Sequence, residues 1–252
     1  MRALVEVAVD SVGSAVAAQA GGASRLELCA GLLEGGTTPS AGLIAACREH
    51  VAIPVFVLVR PRSGDFVYDE AELEVMRRDI AVARDLGVDG VVIGALRPDG
   101  AVDLERTGAL VEAARPLDVT FHRAFDFTRD AAEALAAVAS LGIDRILTSG
   151  RAATAFDGIQ TLAEVVGAAG TRPAIVAAGG ITEDNVARIV HGTGVREVHV
   201  RAAARRDSVM TYRRANLSLA KPPLGEYARL ETDRRHVERL RQALEDALED
   251  DG

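Results

Sequence analysis

Apolar runs of five or six residues recur along the chain, and between them lie longer stretches in which apolar residues return every three or four positions. The first pattern marks strands and the second marks helices buried on one face. Strands are predicted over residues 4–9 (LVEVAV), 25–29 (RLELC), 55–60 (VFVLVR), 90–95 (GVVIGA), 118–122 (DVTFH), 145–149 (RILTS), 174–178 (AIVAA) and 197–201 (EVHVR). Helices are predicted over 70–86, 103–114, 130–141, 154–169, 183–191 and 232–249. The turns agree: LGVDG at 86–90 and LGIDR at 141–145 each end a helix on glycine and then launch a strand. Such alternation calls for a parallel sheet, and eight units in 252 residues call for closure into one α/β domain, a TIM-type (β/α)8 barrel. Only 202–231, with Lys221-Pro222-Pro223, fits no unit, and it is expected to be an irregular excursion over the barrel or toward a neighbouring subunit.

Composition narrows the function classes. With 29 basic and 37 acidic residues the net charge is -8 and no long basic run occurs, which argues against nucleic acid and anionic membranes as partners. No stretch approaches the ~20 apolar residues of a membrane span. The apolar N-terminus is interrupted by Glu6 and Asp10, and no signal-peptide pattern follows. Cys29 and Cys47 do not make a disulfide framework, so a reduced, cytoplasmic protein is expected. Cys47 reads as a core residue of a helix. No nucleophile elbow, P-loop or dinucleotide fingerprint is present, and no organic cofactor is predicted. No lysine lies on a predicted strand, which removes Schiff-base chemistry.

Chemistry enters where polar residues break the apolar strands. DVTFHRAFD (118–126) starts as a strand and closes on His122, Arg123 and Asp126, as a pocket at the carboxyl end of a barrel would require. Residues two apart share a strand face, so Glu6 with Ala8 and Glu27 with Cys29 point the same way, and two carboxylates inside an apolar wall need cationic partners. Arg60, Arg62, Arg123, His199 and Arg201 are available at other strand ends. The loop Arg60-Pro61-Arg62-Ser63-Gly64-Asp65-Phe66 is richer in Arg, Gly and Asp than a plain turn needs. Arginine forks recognise carboxylate or phosphate, and Gly179-Gly180 before a helix capped by Thr182 could add backbone donors. The ligand-binding set is therefore Glu6, Arg60, Arg62, Asp65, Arg123, Thr148, Ser149, Gly179, Gly180 and Arg201. His122, assisted by Asp126 or Glu27, is the candidate for moving a proton. Cys29, His122 and His199 are the soft or borderline donors near strand ends and form the competing metal set. His50, His191 and His236, at helix ends, read as structural or solvated.

EVAVDS (6–11), GGASRLELCAGLLEGGTTPS (21–40), IPVFVLVRPRSGDFVYDEAELEVM (53–76), VTFHRAFD (119–126) and RILTSG (145–150) resemble the CutC family of copper homeostasis proteins, over the chain to about residue 215. The resemblance implies a TIM-type barrel, a cytoplasmic location, copper handling and a homo-oligomer, a dimer or larger. It implies no agreed reaction. Among the copper ligands it suggests are cysteines on the first two strands. Cys29 is retained, whereas Ala8 stands where many relatives have the first-strand cysteine, so a two-thiolate Cu(I) site is in doubt. Two expectations stay open: a protein binding Cu(I) through Cys29, and an enzyme or sensor for a small anionic metabolite at the barrel mouth.

Overall fold

The computed structural model describes residues 4–214, 217 and 224–250. Eight parallel strands close into a barrel in chain order: β1 (Leu4–Val9), β2 (Arg25–Leu28), β3 (Val55–Leu58), β4 (Gly90–Ile93), β5 (Asp118–Phe121), β6 (Arg145–Thr148), β7 (Ala174–Ala178) and β8 (Glu197–Val200), with β1 pairing β8. The helices around it are α1 (Val12–Ala20), α2 (Ala41–His50), α3 (Glu70–Asp85), α4 (Leu104–Ala114), α5 (Ala131–Ser140), α6 (Ile159–Ala169), α7 (Val186–Thr193) and α8 (Arg234–Asp250). Side-chain polarity fixes which strand face meets them. On β1, Val5, Val7 and Val9 join the large core under the helices, and the alternate residues Glu6 and Ala8 face the interior. Cys47, on α2, belongs to that outer core. Ser11, Ser40, Asp69, Asp103 and Asp130 cap helix starts by accepting backbone N–H bonds, so these five βα loops are pinned where they enter the helix.

The observed strands are mostly shorter than expected. Arg60, His122, Ser149 and Arg201 lie one or two residues beyond β3, β5, β6 and β8, on the loops that build the mouth. Near α7 the expected boundary moves. The helix begins at Val186, and Asn185, in place of Thr182, organises the turn: its side-chain oxygen accepts from Thr182 N–H at 2.9 Å while its amide donates to the Gly180 carbonyl at 2.8 Å. The segment expected to be irregular contains order. β9 (Ala203–Asp207) pairs antiparallel with β10 (Ala228–Thr232), and α8 follows. Lys221-Pro222-Pro223 lies outside the described residues.

The amino end of the barrel is closed by an ionic floor. The Phe56 ring is flanked by the guanidiniums of Arg25, 5.7 Å from its centroid, and Arg145, 5.0 Å away. Arg25 pairs with Glu6 and, at 2.7 Å, with Glu197, and Arg145 bonds Asp118 at 2.9 Å. Gly90 is needed for this packing, since a Cβ there would stand 2.2 Å from the Phe56 ring. Above the floor the wall is apolar, with Leu58, Val92, Leu147, Val176 and Ala178 facing inward.

Candidate functional site

At the carboxyl end of the barrel a cavity of about 370 Å³ opens among the loops, and its wall includes Glu27, Cys29, Arg60, His122, His199 and Arg201. Arg123, Gly179 and Gly180 also line it. Residues from the second, third, fifth, seventh and eighth βα units thus meet at one rim.

Its floor is a chain of hydrogen bonds. His199 Nδ1 lies 2.7 Å from Glu6 Oε1, and the other Glu6 oxygen accepts from Arg25 Nε. Burial works to raise the Glu6 carboxyl, but Arg25 and the hydrogen-bonded His199 outweigh it and hold the pKa at about 2. Glu6 is therefore an anion at every ordinary pH. For His199, burial disfavours the imidazolium, and the neighbouring Glu27 and Glu6 more than restore it, so its pKa is raised. Glu27 differs. One of its oxygens sits 3.3 Å from the Cys29 thiol, and the other is buried without a hydrogen-bond partner, 3.7 Å from His199 Nδ1. Burial raises its pKa, His199 opposes the rise and Glu6 adds to it. The Cys29 thiol is pushed far up by burial and then by Glu27, so it is a neutral donor.

The upper wall is cationic. Arg60, 6% exposed, donates to the carbonyls of Gly36 at 2.9 Å and Gly64 at 2.6 Å and lies over the Phe66 ring. Among the described residues no carboxylate pairs with it, and its Nε has no partner. Arg123 is bonded to Asp126 and Ser149, and Arg201 lies 4.0 Å from Asp10. His122 accepts the Ala124 N–H on Nδ1, and burial, with Arg60 nearby, lowers its pKa to about 3. The ring is neutral, the proton sits on Nε2, and Nε2 is buried without a partner. Gly94 makes room for it, because a Cβ there would stand 2.7 Å from the ring.

Several expected site residues do other work. Arg62 and Asp65 are not in the cavity: Arg62 bonds Glu72, the Val67 carbonyl and Asp65, tying the loop to the start of α3. Asp126 does not assist His122. It accepts from Thr148 Oγ1, the Ser149 hydroxyl and N–H, the Arg151 N–H and Arg123 Nε, which consumes both of its oxygens. Thr148 and Ser149 are thereby spent on bracing the β5 and β6 loops. Glu6 lies beneath the cavity as the anchor of His199. Gly179 and Gly180 line the cavity with φ of +96° and +67°, but the helix they were expected to open begins at Val186.

The expected metal set also changes. Among the described residues the group of three whose ligand atoms approach within 4.8 Å of one another is Glu6, Glu27 and His199. Cys29 and His122 are not in it, and both Glu6 oxygens are already bonded. Arg25, Arg145 and Glu197 were not singled out as parts of a buried floor. The signal was there: RLEL, RILT and EVHV each begin with a charge at a position whose alternates face inward.

This geometry sits in a chain whose residues 3–204 match the model of the CutC family. The chain belongs to the CutC family. The mouse copper homeostasis protein cutC homolog is 46% identical over 246 residues, covering 97% of this chain and 90% of the relative. A CutC family protein of Xanthomonas campestris is 54% identical over 198 residues, covering 79% of this chain and 82% of the relative. The crystal structure of CutC from Streptococcus agalactiae superposes with a TM-score of 0.76 at 33% identity, over 79% of this chain and 98% of that one. For this CutC family member the expected TIM-type barrel and the tie to copper homeostasis proteins therefore stand. No described helix is long and apolar enough to cross a membrane.

Proposed function

We propose that the barrel mouth binds a small anionic metabolite bearing a carboxylate or phosphate. The observation that carries this reading is Arg60: a buried guanidinium with no carboxylate partner among the described residues and an unbonded Nε, in the wall of a cavity. A buried cation is costly unless paired, so the pairing anion is read as the ligand. Arg123 and Arg201, each paired with an aspartate, bring further guanidinium groups to the same rim, and the neutral His122 ring lines it. A volume of about 370 Å³ suits a small metabolite. A thermal-shift screen of carboxylates and phosphate esters tests the reading. A ligand at 100 times its dissociation constant should add about 2.7 kcal/mol of stability, and Arg60→Ala should abolish the shift. No shift with any anion would remove the reading.

Copper is the second reading, favoured by Cys29 in the cavity wall and by the names of the relatives. The donor set of one chain does not fit Cu(I), which prefers two or more soft ligands. Cys29 is a protonated thiol against a carboxylate, Ala8 offers no sulfur, and Cys47 lies in the outer core. A Cu(I) titration against a competing chelator tests it, and equal binding by wild type and Cys29→Ser would sink it. Two free, buried cysteines suit a reducing, cytoplasmic compartment. A homodimer or larger assembly belongs to the same reading. Val209, Met210 and Tyr212, exposed between β9 and β10, offer it apolar surface to bury.

A further inference from the structure

Two acid-base groups in the cavity wall keep atoms without a protein hydrogen-bond partner among the described residues. His199 has Nδ1 committed to Glu6, its ring lines the cavity, and Nε2 has no protein partner among the described residues. Glu6 is fixed from behind by Arg25, so the pair is a carboxylate-histidine dyad in which Glu6 sets the tautomer and orientation. Beside it, Glu27 is 95% buried yet keeps one oxygen without a hydrogen-bond partner. A buried carboxyl oxygen without a hydrogen-bond partner is costly to the fold. His122 and Arg60 line the same cavity, and His122 Nε2 and Arg60 Nε are buried without a hydrogen-bond partner. Two proton carriers thus share one small cavity with two fixed donors.

We propose that the site performs a cofactor-independent proton transfer at a carbon next to the carbonyl or carboxyl group of a small oxyanion-bearing substrate, with Glu27 and His199 as the proton-transferring pair. Glu27 accepts the proton as the C–H bond breaks. The bonding pair becomes the C=C bond of an enolate, and the carbonyl π pair moves onto oxygen. The His122 and Arg60 side chains in the cavity wall stabilise that oxygen. His199 Nε2–H then returns a proton to that carbon, on the same or the opposite face, and the two groups regain their starting states by exchange with water. Atoms and electrons balance with no oxidant, reductant or cofactor. Glu6 is a positioning residue. The opposed shifts of Glu6 and Glu27 support the assignment, since one carboxyl is locked as an anion and the other is left able to carry a proton.

This inference rests on the anion-binding reading, and the experiment separates the two. The full chain is incubated in D2O with lactate, malate, pyruvate, dihydroxyacetone phosphate and ribose 5-phosphate, and loss of the C–H signal is followed by proton NMR beside the thermal shift for each compound. Wild type should exchange deuterium into at least one compound that shifts its melting temperature. Glu27→Gln should lower that rate at least 100-fold and keep the shift, Glu27→Asp should recover part of the rate, and His199→Asn should slow exchange and flatten its pH profile. Arg60→Ala should lose shift and exchange together. No exchange in wild type with any compound that shifts the melting temperature, or undiminished exchange in Glu27→Gln, overturns the proton-transfer proposal while anion binding stands. No shift with any compound overturns both.

Discussion

Glu6→Gln removes the charge that holds Arg25 and His199 together. The native carboxyl titrates at about 2 against an ordinary 4.5. At 1.36 kcal/mol per tenfold change in the constant, that gap is worth about 3 kcal/mol. Because the folded value is depressed, the stability is fully present above pH 4.5 and is lost as the pH falls toward 2. His199 has the opposite sign. Its raised folded value means that its contribution is full below its ordinary 6.5 and is lost as the pH rises through the folded value. Both contributions need Glu6, so the stability gap between wild type and Glu6→Gln should be widest between about pH 4.5 and 6.5 and shrink on either side. At its widest it should reach about 3–5 kcal/mol, the range for breaking a buried pair. Urea unfolding of both proteins from pH 3 to 8 measures it. Parallel stability curves, or a gap below about 1 kcal/mol at pH 5.5, would refute the claim that Glu6 is the buried anchor.

Three further outcomes are expected. The His122 ring should stay neutral with the proton on Nε2 from pH 5 to 8, because its pKa is lowered to about 3, and its NMR shifts should not titrate there; a midpoint near 6.5 would contradict the buried site. That depressed value also makes the neutral ring's stability full above pH 6.5 and lost on acidification toward pH 3, which adds to acid sensitivity. Asp126→Ala should lower stability by about 2–4 kcal/mol by freeing the braced donors, while leaving the pH dependence of any deuterium exchange unchanged; a shifted pH profile would make Asp126 part of the chemistry. Gly94→Ala should cost about 1–3 kcal/mol and weaken the anion-induced thermal shift, because the new methyl drives His122 from its place; an unchanged shift would show that His122 does not touch the ligand.

How legible the site was depends on the distance over which each residue acts. Glu27, Arg60, His122 and His199 could be found because strand alternation and the carboxyl-end position of each follow from local pattern. Arg62 looked equivalent to Arg60, but Glu72, in the first turn of α3, offers Arg62 a carboxylate, and among the described residues no such neighbour reaches Arg60. Asp126 next to His122 in sequence looked like its partner, yet it was drawn to the hydroxyls and N–H groups of the β6 loop, which only the closed barrel brings beside it.

By itself the sequence determined the barrel. Apolar periodicity and glycine turns are local, and eight repeats of strand and helix leave few ways to bury both faces of a parallel sheet. The tertiary structure alone decided which of the inward side chains are paired and which are not. Glu6 and His199 are 193 residues apart and meet because β8 closes onto β1. That closure locks one carboxylate with an arginine and an imidazole and leaves the next, on the neighbouring strand, with an oxygen unbonded. Local pattern could not tell Glu6 from Glu27, since both are a single acid on the inner face of an apolar strand, and the difference between them is which strand lies alongside.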